Sequence, residues 1–242
     1  MATALDLPPI GTGLLANVES SALRFGLSRD HFTEAAARAA AALARRQLES
    51  DVSQAIVVGL IGTGVKGCIA LHALRILHGF GAECSAVMAG GTQEMRPETA
   101  RAAETLDRLR RRMLQPRSPI VRNALADADL IIDGLVGVGL DGPPREPHAT
   151  LIRLCNEVRG DVLSLETPSG LHPDTGEPLA PTIKARATLA LGLPARGNFS
   201  ALAWQFTGEL WLCDIGYPPQ ALEEHDLDAD GLFTQGELIR IR

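Results

Sequence analysis

AIVVGLIGTGVKG, at residues 55–67, is the stretch of sequence that decides the fold. Its first part, 55–60, is a short apolar run rich in β-branched residues, which predicts a buried strand. Three glycines follow within six residues, and the apolar segment at 68–77 predicts a helix. A strand, a glycine-rich turn and a helix in this order begin the βαβ unit of a parallel sheet.

The rest of the chain continues this alternation of strands and helices. Further strands are predicted at 83–88, 129–133, 161–165, 188–193 and 209–214, and helices at 31–49, 97–115 and 147–158. The 242 residues contain no internal repeat and no linker long enough to separate two domains. We therefore predict an α/β fold, a three-layer αβα Rossmann-like sandwich with a mostly parallel central sheet, formed by residues 19–242. Residues 1–18 are predicted to form a flexible arm.

The composition narrows the class of partner. The formal net charge of −6 gives no sign of a nucleic-acid-binding surface. Arginines cluster at 108–117, where helical spacing would spread them around a solvated helix end. No apolar run reaches the roughly 18 residues that cross a membrane, and the first residues lack the pattern of a signal peptide. Four widely separated cysteines predict buried free thiols, so we expect a cytoplasmic protein that binds neither nucleic acid nor membranes.

The glycine-rich turn at 62–67 has the GxGxxG spacing of dinucleotide-binding loops. There the backbone of Gly62, Thr63 and Gly64 would approach a phosphate at the N-terminus of the next helix, and Lys66 would add a positive charge. Glu83 lies about 20 residues further on, where an acidic ribose partner is expected. The spacing has a second explanation, because glycines also occur where backbone segments pack closely for steric reasons.

Two carboxylates lie at the ends of predicted strands. Asp133 precedes a loop with three glycines and is suited to be a catalytic group, a cation ligand or an acceptor for loop N–H groups. Glu166 precedes Thr-Pro-Ser-Gly, where Ser169 and Gly170 can present a hydroxyl and backbone N–H groups. A carboxylate at the end of a buried strand is costly without a partner or a function, so Glu166 is the strongest candidate catalytic residue.

Three later segments resemble the NAD(P)H-hydrate epimerase family, also called the YjeF N-terminal domain family. They are DGLVGVGLDGPPREP at 133–147, ETPSGLHPDTGEPL at 166–179 and GELWLCDIGYPPQAL at 208–222. The resemblance implies a Rossmann-like domain that commonly dimerises and interconverts the two epimers of hydrated NADH or NADPH, a damaged cofactor. It also implies a pathway partner, an ADP- or ATP-dependent NAD(P)H-hydrate dehydratase that repairs one epimer.

The resemblance assigns roles to residues of the glycine- and proline-rich turns. It implies that Glu166 is the catalytic acid and that Asp133 is a ligand of a bound potassium ion. The phosphate and ribose portions of the nucleotide would lie on the turns at 59–67 and 134–140, and no tightly bound cofactor is expected. The predicted ligand-binding residues are Gly62, Thr63, Gly64, Lys66, Gly137, Val138, Gly139, Leu140, Ser169 and Gly170.

The sequence departs from the family pattern at three places. GLIGTGVKG at 59–67 has Gly62 and Thr63 instead of two asparagines and Lys66 instead of an aspartate. These changes weaken a potassium site and can put an ammonium where the ion would lie. The catalytic aspartate is replaced by Glu166, and TLALGLPARG at 188–197 has Ala195 at the position of the catalytic lysine. Arg196, its neighbour, would point elsewhere on an extended chain and is a poor proton-transfer group.

These departures leave two functions open. One is a divergent epimerase-like protein that binds a nucleotide-type ligand and has weakened or lost activity, so whether the chain is an enzyme stays undecided. The other is a dimeric, non-catalytic binding, scaffold or regulatory module, as in divergent relatives such as the mRNA-decapping scaffold domain.

The acidic segment DLDADGLFTQGE at 226–237 matches the residue spacing of an EF-hand calcium loop. Only residues 238–242 follow it, which is little more than one helical turn, and the chain has no second such loop. Because of these two features, we do not expect the segment to bind calcium, although its spacing matches the loop pattern.

Overall fold

The computed structural model describes residues 9–49, 51–228, 232–234 and 236–242. Across these ranges eight strands form one sheet. The strands are β1 Ile56–Ile61, β2 Glu83–Met88, β3 Arg112–Leu114, β4 Leu130–Gly134, β5 Asp161–Leu165, β6 Ala187–Leu191, β7 Glu209–Cys213 and β8 Leu238–Arg240. Their order is β3-β2-β1-β4-β5-β6-β7-β8, and every neighbouring pair is parallel except β7 and β8.

Helices cover both faces of the sheet, as the alternation of strands and helices predicts. They are α1 Thr12–Arg24, α2 Arg29–Gln47, α3 Val65–Gly79, α4 Pro97–Arg108, α5 Val121–Ala126, α6 His148–Glu157, α7 Trp204–Thr207 and α8 Pro219–Glu223. Alternate residues of β1 show the three layers: Val57 and Ile61 pack with α2, α3 and α4, whereas Val58 and Leu60 pack with α5 and α6. The predicted three-layer αβα fold is therefore confirmed. Among the described residues, no helix is long and apolar enough to cross a membrane.

The order of the strands determines where a ligand can bind. After β1 the chain continues outward on one side through β2 and β3, and then returns to the other side of β1 with β4 and β5. Such a reversal separates the connections on the two sides and leaves a crevice at the carboxyl ends of the strands. The turns that follow β1, β4 and β5 are therefore neighbours at one edge of the sheet.

The long helix predicted at 97–115 is shorter in the structure. The helix α4 ends at Arg108, Arg110 has a positive φ of 56°, and Arg112 begins the edge strand β3. Backbone bonds from Arg110 N to Asp107 O and from Arg111 N to Leu106 O close this helix end in a Schellman arrangement. The sequence gives no signal for this helix end, because the residue in the left-handed conformation is an arginine and not the usual glycine.

Residues 12–18, which we predicted to lie in a flexible arm, form the first half of α1. Thr12 donates to the Asp174 carboxylate from its backbone N at 2.8 Å and from Oγ1 at 2.7 Å. Just before the helix, Ile10 N donates to Pro194 O, and Arg196 N donates to Ile10 O. All of these partners lie far away in the sequence, which is why local composition did not reveal the helix. Residues 1–8 of the predicted arm lie outside the described residues.

We predict that Asp174→Ala loosens α1, because it removes both acceptors of Thr12. The loss of two hydrogen bonds to a carboxylate should lower the free energy of unfolding by about 1–3 kcal/mol. Hydrogen exchange of the amides in α1 should be faster, while exchange in β1 stays slow. Thr12→Val, which removes only the hydroxyl bond, should give a smaller effect of the same kind. Unchanged exchange in both variants would contradict this role of Asp174.

The contribution of Asp174 should also depend on pH. Partial burial favours a higher pKa, but the hydrogen bonds from Thr12 outweigh it and hold the pKa of Asp174 below its ordinary value. A carboxyl whose pKa is lower in the folded state stabilises the protein above its unfolded-state pKa, and this stabilisation is lost as the pH falls. The difference in stability between the wild type and Asp174→Ala should therefore shrink in acid.

Candidate functional site

A buried lysine joins the turns that follow β1, β4 and β5. Lys66 lies in the first turn of α3, and its Nζ donates to Asp133 Oδ2 at 2.9 Å and to Ser169 Oγ at 3.0 Å. The same Nζ donates to the backbone oxygens of Val136 at 3.1 Å and Thr167 at 2.8 Å. We call these four acceptors the oxygen cage. The side chain of Lys66 is only 4% exposed, so its charge lies beneath the turns and not at the surface where a phosphate would bind.

Asp133 is the anion of this site, and each of its oxygens is occupied. Besides Lys66, its carboxylate accepts from Ser164 Oγ at 2.7 Å, from Ser169 N at 2.9 Å, from Ser169 Oγ at 2.6 Å and from Leu135 N at 3.2 Å. Burial by itself would raise the pKa of Asp133, but the Lys66 charge and the serine hydroxyls outweigh it and hold the pKa below its ordinary value. Asp133 is thus ionised and fully paired, and it is not free to act as a catalytic base.

Lys66 bears a positive charge in this arrangement. Burial lowers the pKa of Lys66, while Asp133 opposes this change. Four oxygens surround Nζ, and a neutral amine has only two N–H donors to offer them, whereas an ammonium has three. Of the two roles that the sequence suggests for Lys66, phosphate contact and replacement of a cation, the geometry favours the second.

Glu166 follows β5 and has a backbone conformation that is unusual for a residue with a side chain. Its φ is 63°, in the left-handed region, and its backbone is held by Leu189 O and by Asn198 Nδ2. The carboxylate turns back over the loop after β4, where Oε2 accepts from Val138 N at 2.9 Å. A non-glycine residue held in this region is strained, and such strain is found disproportionately at functional sites.

The environment of Glu166 shifts the pKa of its carboxyl upward. Burial raises the pKa of Glu166; the Val138 N–H and the charge of Lys66 oppose this, and the charge of Glu19 adds to it. Glu166 opens into a cavity of about 150 Å³ with mostly apolar walls. Other walls of the cavity are formed by Leu15, Glu19, Phe32, Val65, Ile69, Ala195 and Tyr217. Such a carboxyl is suited to donate a proton inside a partly dry cleft.

Ala195, at the position where the family resemblance implies a lysine, has only a methyl group as its side chain. It lies after β6, lines the same cavity and is 2% exposed. Arg196 turns away from the cavity and lies 3.6 Å from the Asp174 carboxylate, with an exposed side chain. Among the residues that line the cavity, the ionisable groups besides Glu166 are Glu19, Arg29 and Tyr217, and Arg29 pairs with Glu19.

Helix α1 and Tyr217 belong to the cleft, although sequence reasoning did not place them there. Thr12, Leu15 and Glu19 reach the cavity from α1, and Tyr217 reaches it from the segment after β7. The only local signal was the Asp-Ile-Gly-Tyr ending of the last resembling segment. The position of α1 depends on Asp174, a contact between segments more than 160 residues apart in the chain.

The glycines of the predicted site divide into two groups. At Gly62 and Gly67 there is no space for a side chain. A Cβ at position 62 would lie 1.8 Å from Leu135 O, and a Cβ at position 67 would lie 2.1 Å from Gly62 O. Gly64 and Gly139 face open space, with no other atom within 4 Å of a Cβ. The open pair leaves room for a ligand above the N-terminus of α3, which has no side-chain cap.

Ser169 and Gly170 face inward. The Ser169 hydroxyl is fully buried and belongs to the oxygen cage. Gly170 has a φ of 95°, and a Cβ there would lie 2.2 Å from Pro181 O. Of the ten predicted ligand-binding residues, Lys66, Ser169 and Gly170 therefore support the shape of the cleft from beneath, whereas Thr63, Gly64, Val138, Gly139 and Leu140 are at least partly exposed.

Described residues of the acidic segment 226–237 border a second cavity, which shares Leu193 and Tyr217 with the Glu166 cavity. Asp230 and Gly231, two of its predicted calcium-loop positions, lie outside the described residues. The residues after it form the strand β8 and not an exit helix. The second cavity has a volume of about 860 Å³ and is bordered by Asp214, Glu223 and Asp226. Within the described part of the chain, no group of three or more His, Cys, Asp or Glu side chains is placed to hold a metal ion.

The fold and this edge of the sheet define a Rossmann-like α/β domain with a cleft over the ends of β1, β4 and β5. The family model described as YjeF-related protein N-terminus matches residues 29–197, more than half of the chain. The chain therefore belongs to this family, and the resemblance found in the sequence is confirmed.

Curated relatives support the same family. The chain is 32% identical over 215 residues to an NAD(P)H-hydrate epimerase of Cenarchaeum symbiosum, covering 85% of this chain and 93% of that protein. It is 34% identical over 189 residues to a bifunctional NAD(P)H-hydrate repair enzyme Nnr of Pyrobaculum aerophilum, covering 76% of this chain but only 37% of that protein. The crystal structure of yeast ynu0 shares the fold, with a TM-score of 0.83 and 18% identity over 97% of this chain and 100% of that one.

We predict that Gly137→Ala displaces the Glu166 carboxylate, because a Cβ at position 137 would lie 1.8 Å from Oε2. The displaced carboxylate would lose the Val138 N–H, which lowers the pKa of Glu166, so that pKa should rise further. A titration of the Glu166 carboxyl followed by carbon-13 NMR measures this. Gly139→Ala is the matched control, because it meets no atom within 4 Å and should leave the pKa unchanged. Equal titrations in the two variants would show that Glu166 does not occupy the space beside Gly137.

Proposed function

We propose that this protein binds an NAD(P)H-hydrate-type nucleotide in the cleft beside Glu166, and that its epimerase activity is weakened or lost. The observation that carries the proposal is that Glu166 and Ala195 line the same cavity, at the positions of the family's catalytic acid and lysine. The family relation supports the ligand, because the similar proteins of Cenarchaeum symbiosum and Pyrobaculum aerophilum are an NAD(P)H-hydrate epimerase and an NAD(P)H-hydrate repair enzyme. The cavity supports the loss, because position 195 brings only a methyl group to it.

The turns around the cleft suit the parts of a nucleotide. A phosphate is stabilised at the N-terminus of α3, where Gly64 leaves open space and the helix dipole is positive. On the loop after β4, Val138 lines the cavity and donates its N–H to Glu166. The cavity of about 150 Å³ is large enough for one ring of the ligand, and the remainder would lie over the turns.

The chemistry that the cleft retains is half of an acid–base pair. Inverting a hydrated carbon requires proton transfer to the oxygen that leaves and from the oxygen that enters. Glu166 can supply a proton, since its pKa is raised by burial. Ala195 supplies no second group, and the guanidinium of Arg196 is directed toward Asp174. Because general acid–base catalysis by one positioned group contributes about 10²–10⁴-fold, loss of a partner should reduce turnover by a similar factor.

The bifunctional relatives indicate which reaction follows in the sequence of steps. The Pyrobaculum protein is named as one bifunctional repair enzyme. This chain matches only 37% of its length, so most of that protein lies outside the match. We propose that a nucleotide held or released by this protein is passed to an NAD(P)H-hydrate dehydratase, either on a separate chain or on a further domain.

A dimeric, non-catalytic binding module is the second candidate function. The observation that favours it is that two large apolar side chains between β6 and β7 are exposed. Leu202 is 57% exposed and Trp204 is 58% exposed. Apolar side chains at this exposure suit a protein contact. Sedimentation of the wild type and of Trp204→Ser distinguishes a dimer formed through this surface from a monomer, whatever the result of the activity measurement.

We predict that the wild type binds hydrated NADH but exchanges its epimers slowly, and that the double variant Glu166→Asp with Ala195→Lys exchanges them faster. The double variant restores the family's acid and lysine, so the exchange rate should rise by at least about tenfold. The measurement follows both epimers by chromatography above the spontaneous rate, with binding measured separately by calorimetry.

Two controls make this result specific. Ala201→Lys adds a lysine at an exposed position away from the cavity and should leave the exchange rate unchanged. Glu166→Gln removes the remaining acid and should abolish any residual exchange. Fast exchange by the wild type that survives Glu166→Gln would contradict the assigned role of Glu166, and absence of binding would contradict the proposed ligand.

A further inference from the structure

The oxygen cage has the chemistry of a site for a monovalent cation. It consists of one carboxylate oxygen, one hydroxyl oxygen and two backbone carbonyl oxygens, all between 2.8 and 3.1 Å from a single centre. Hard oxygen donors of this kind are the ligands of alkali and alkaline-earth cations. In this chain the centre is the ammonium of Lys66, which has the same charge as a potassium ion and a similar size.

The residues present do not fit a bound potassium ion. The ammonium fills the centre of the cage, and its charge already matches the one carboxylate there, Asp133. A second cation beside it would meet a like charge in a buried site, where water screens little. The potassium ligand role that the family resemblance implies for Asp133 is therefore taken by its ion pair with Lys66.

The choice of lysine at this position is informative. The chain has only two lysines, Lys66 and Lys184, although lysine and arginine together number 23. Lysine carries a compact point charge with three donors, whereas arginine carries a planar fork that would not fit between the three turns. Lys184 is exposed, whereas Lys66 is buried.

We propose that the Lys66 ammonium is a built-in monovalent cation, which makes the cleft independent of potassium and positions the turns that carry Val138 and Glu166. Its bond to Val136 O holds the loop after β4, and its bond to Thr167 O holds the residue next to Glu166. Lys66 is thus a positioning residue. Removal of its side chain should leave an anionic, oxygen-lined site that accepts potassium.

The first experiment measures thermal unfolding of the full chain at constant ionic strength in potassium, sodium or choline chloride. The wild-type Tm should be the same in all three salts. Lys66→Ala should unfold about 10 °C lower in choline, because the Asp133 carboxylate is left buried without its counter-charge. Potassium should restore much of this loss in Lys66→Ala, sodium less of it, and choline none. Lys184→Ala is the matched control and should behave as the wild type.

The second experiment locates the cation. Crystals of Lys66→Ala soaked in thallium, a potassium analogue, should show one thallium within reach of Asp133, Ser169 and the carbonyls of Val136 and Thr167. Crystals of the wild type should show none there. Lys66→Met fills the space with an uncharged chain, so it should be destabilised and should not recover in potassium. If Lys66→Ala is unfolded in choline, recovery of folding in potassium is the same result in a stronger form.

Three outcomes would overturn the proposal. The first is that potassium selectively stabilises the wild type. The second is that Lys66→Ala gains neither stability nor folding from potassium. The third is that Lys66→Ala is folded but binds no thallium in the cage. All of these measurements are made without nucleotide, so their failure is distinct from failure of the proposed ligand or activity.

Discussion

The ion pair between Lys66 and Asp133 is the interaction on which the rest of the site depends. Removing two charges from water is costly, and attraction alone offsets this cost only when the remaining donors and acceptors are satisfied. Here the ammonium meets four oxygens and the carboxylate meets five donors, so both groups are satisfied. Because the acceptors of Lys66 follow different strands, the pair aligns the turns after β4 and β5 with the start of α3.

The cleft above this pair combines an acid with an apolar cavity. Glu166 bends back in a strained conformation, and Gly137 leaves the space that its carboxylate occupies. Helix α1 covers the cavity because Asp174 binds Thr12, so the environment that raises the pKa of Glu166 is formed by segments from both ends of the domain. The acid and its surroundings are thus set by packing, and they remain in place although the residue at position 195 is an alanine.

The three departures from the family pattern have different physical consequences. Lys66 puts an ammonium in the oxygen cage, where it pairs with Asp133. Glu166 has one methylene more than the aspartate it replaces, and this length allows its carboxylate to reach Val138 N. Ala195 brings only a methyl group to the cavity, and its neighbour Arg196 is directed toward Asp174. The first two changes keep the architecture, and the third removes a chemical group.

The sequence by itself determined the layers, six of the strands and the edge at which the site lies, because strand and helix periods and glycine-rich turns are local signals. It also named Lys66, Asp133 and Glu166. Only the tertiary structure decided that Lys66 points inward, that Arg108 ends its helix and that α1 covers the cleft. Each of these depends on contacts between distant segments or on a single backbone angle, and the spacing of residues along a chain carries no information about either.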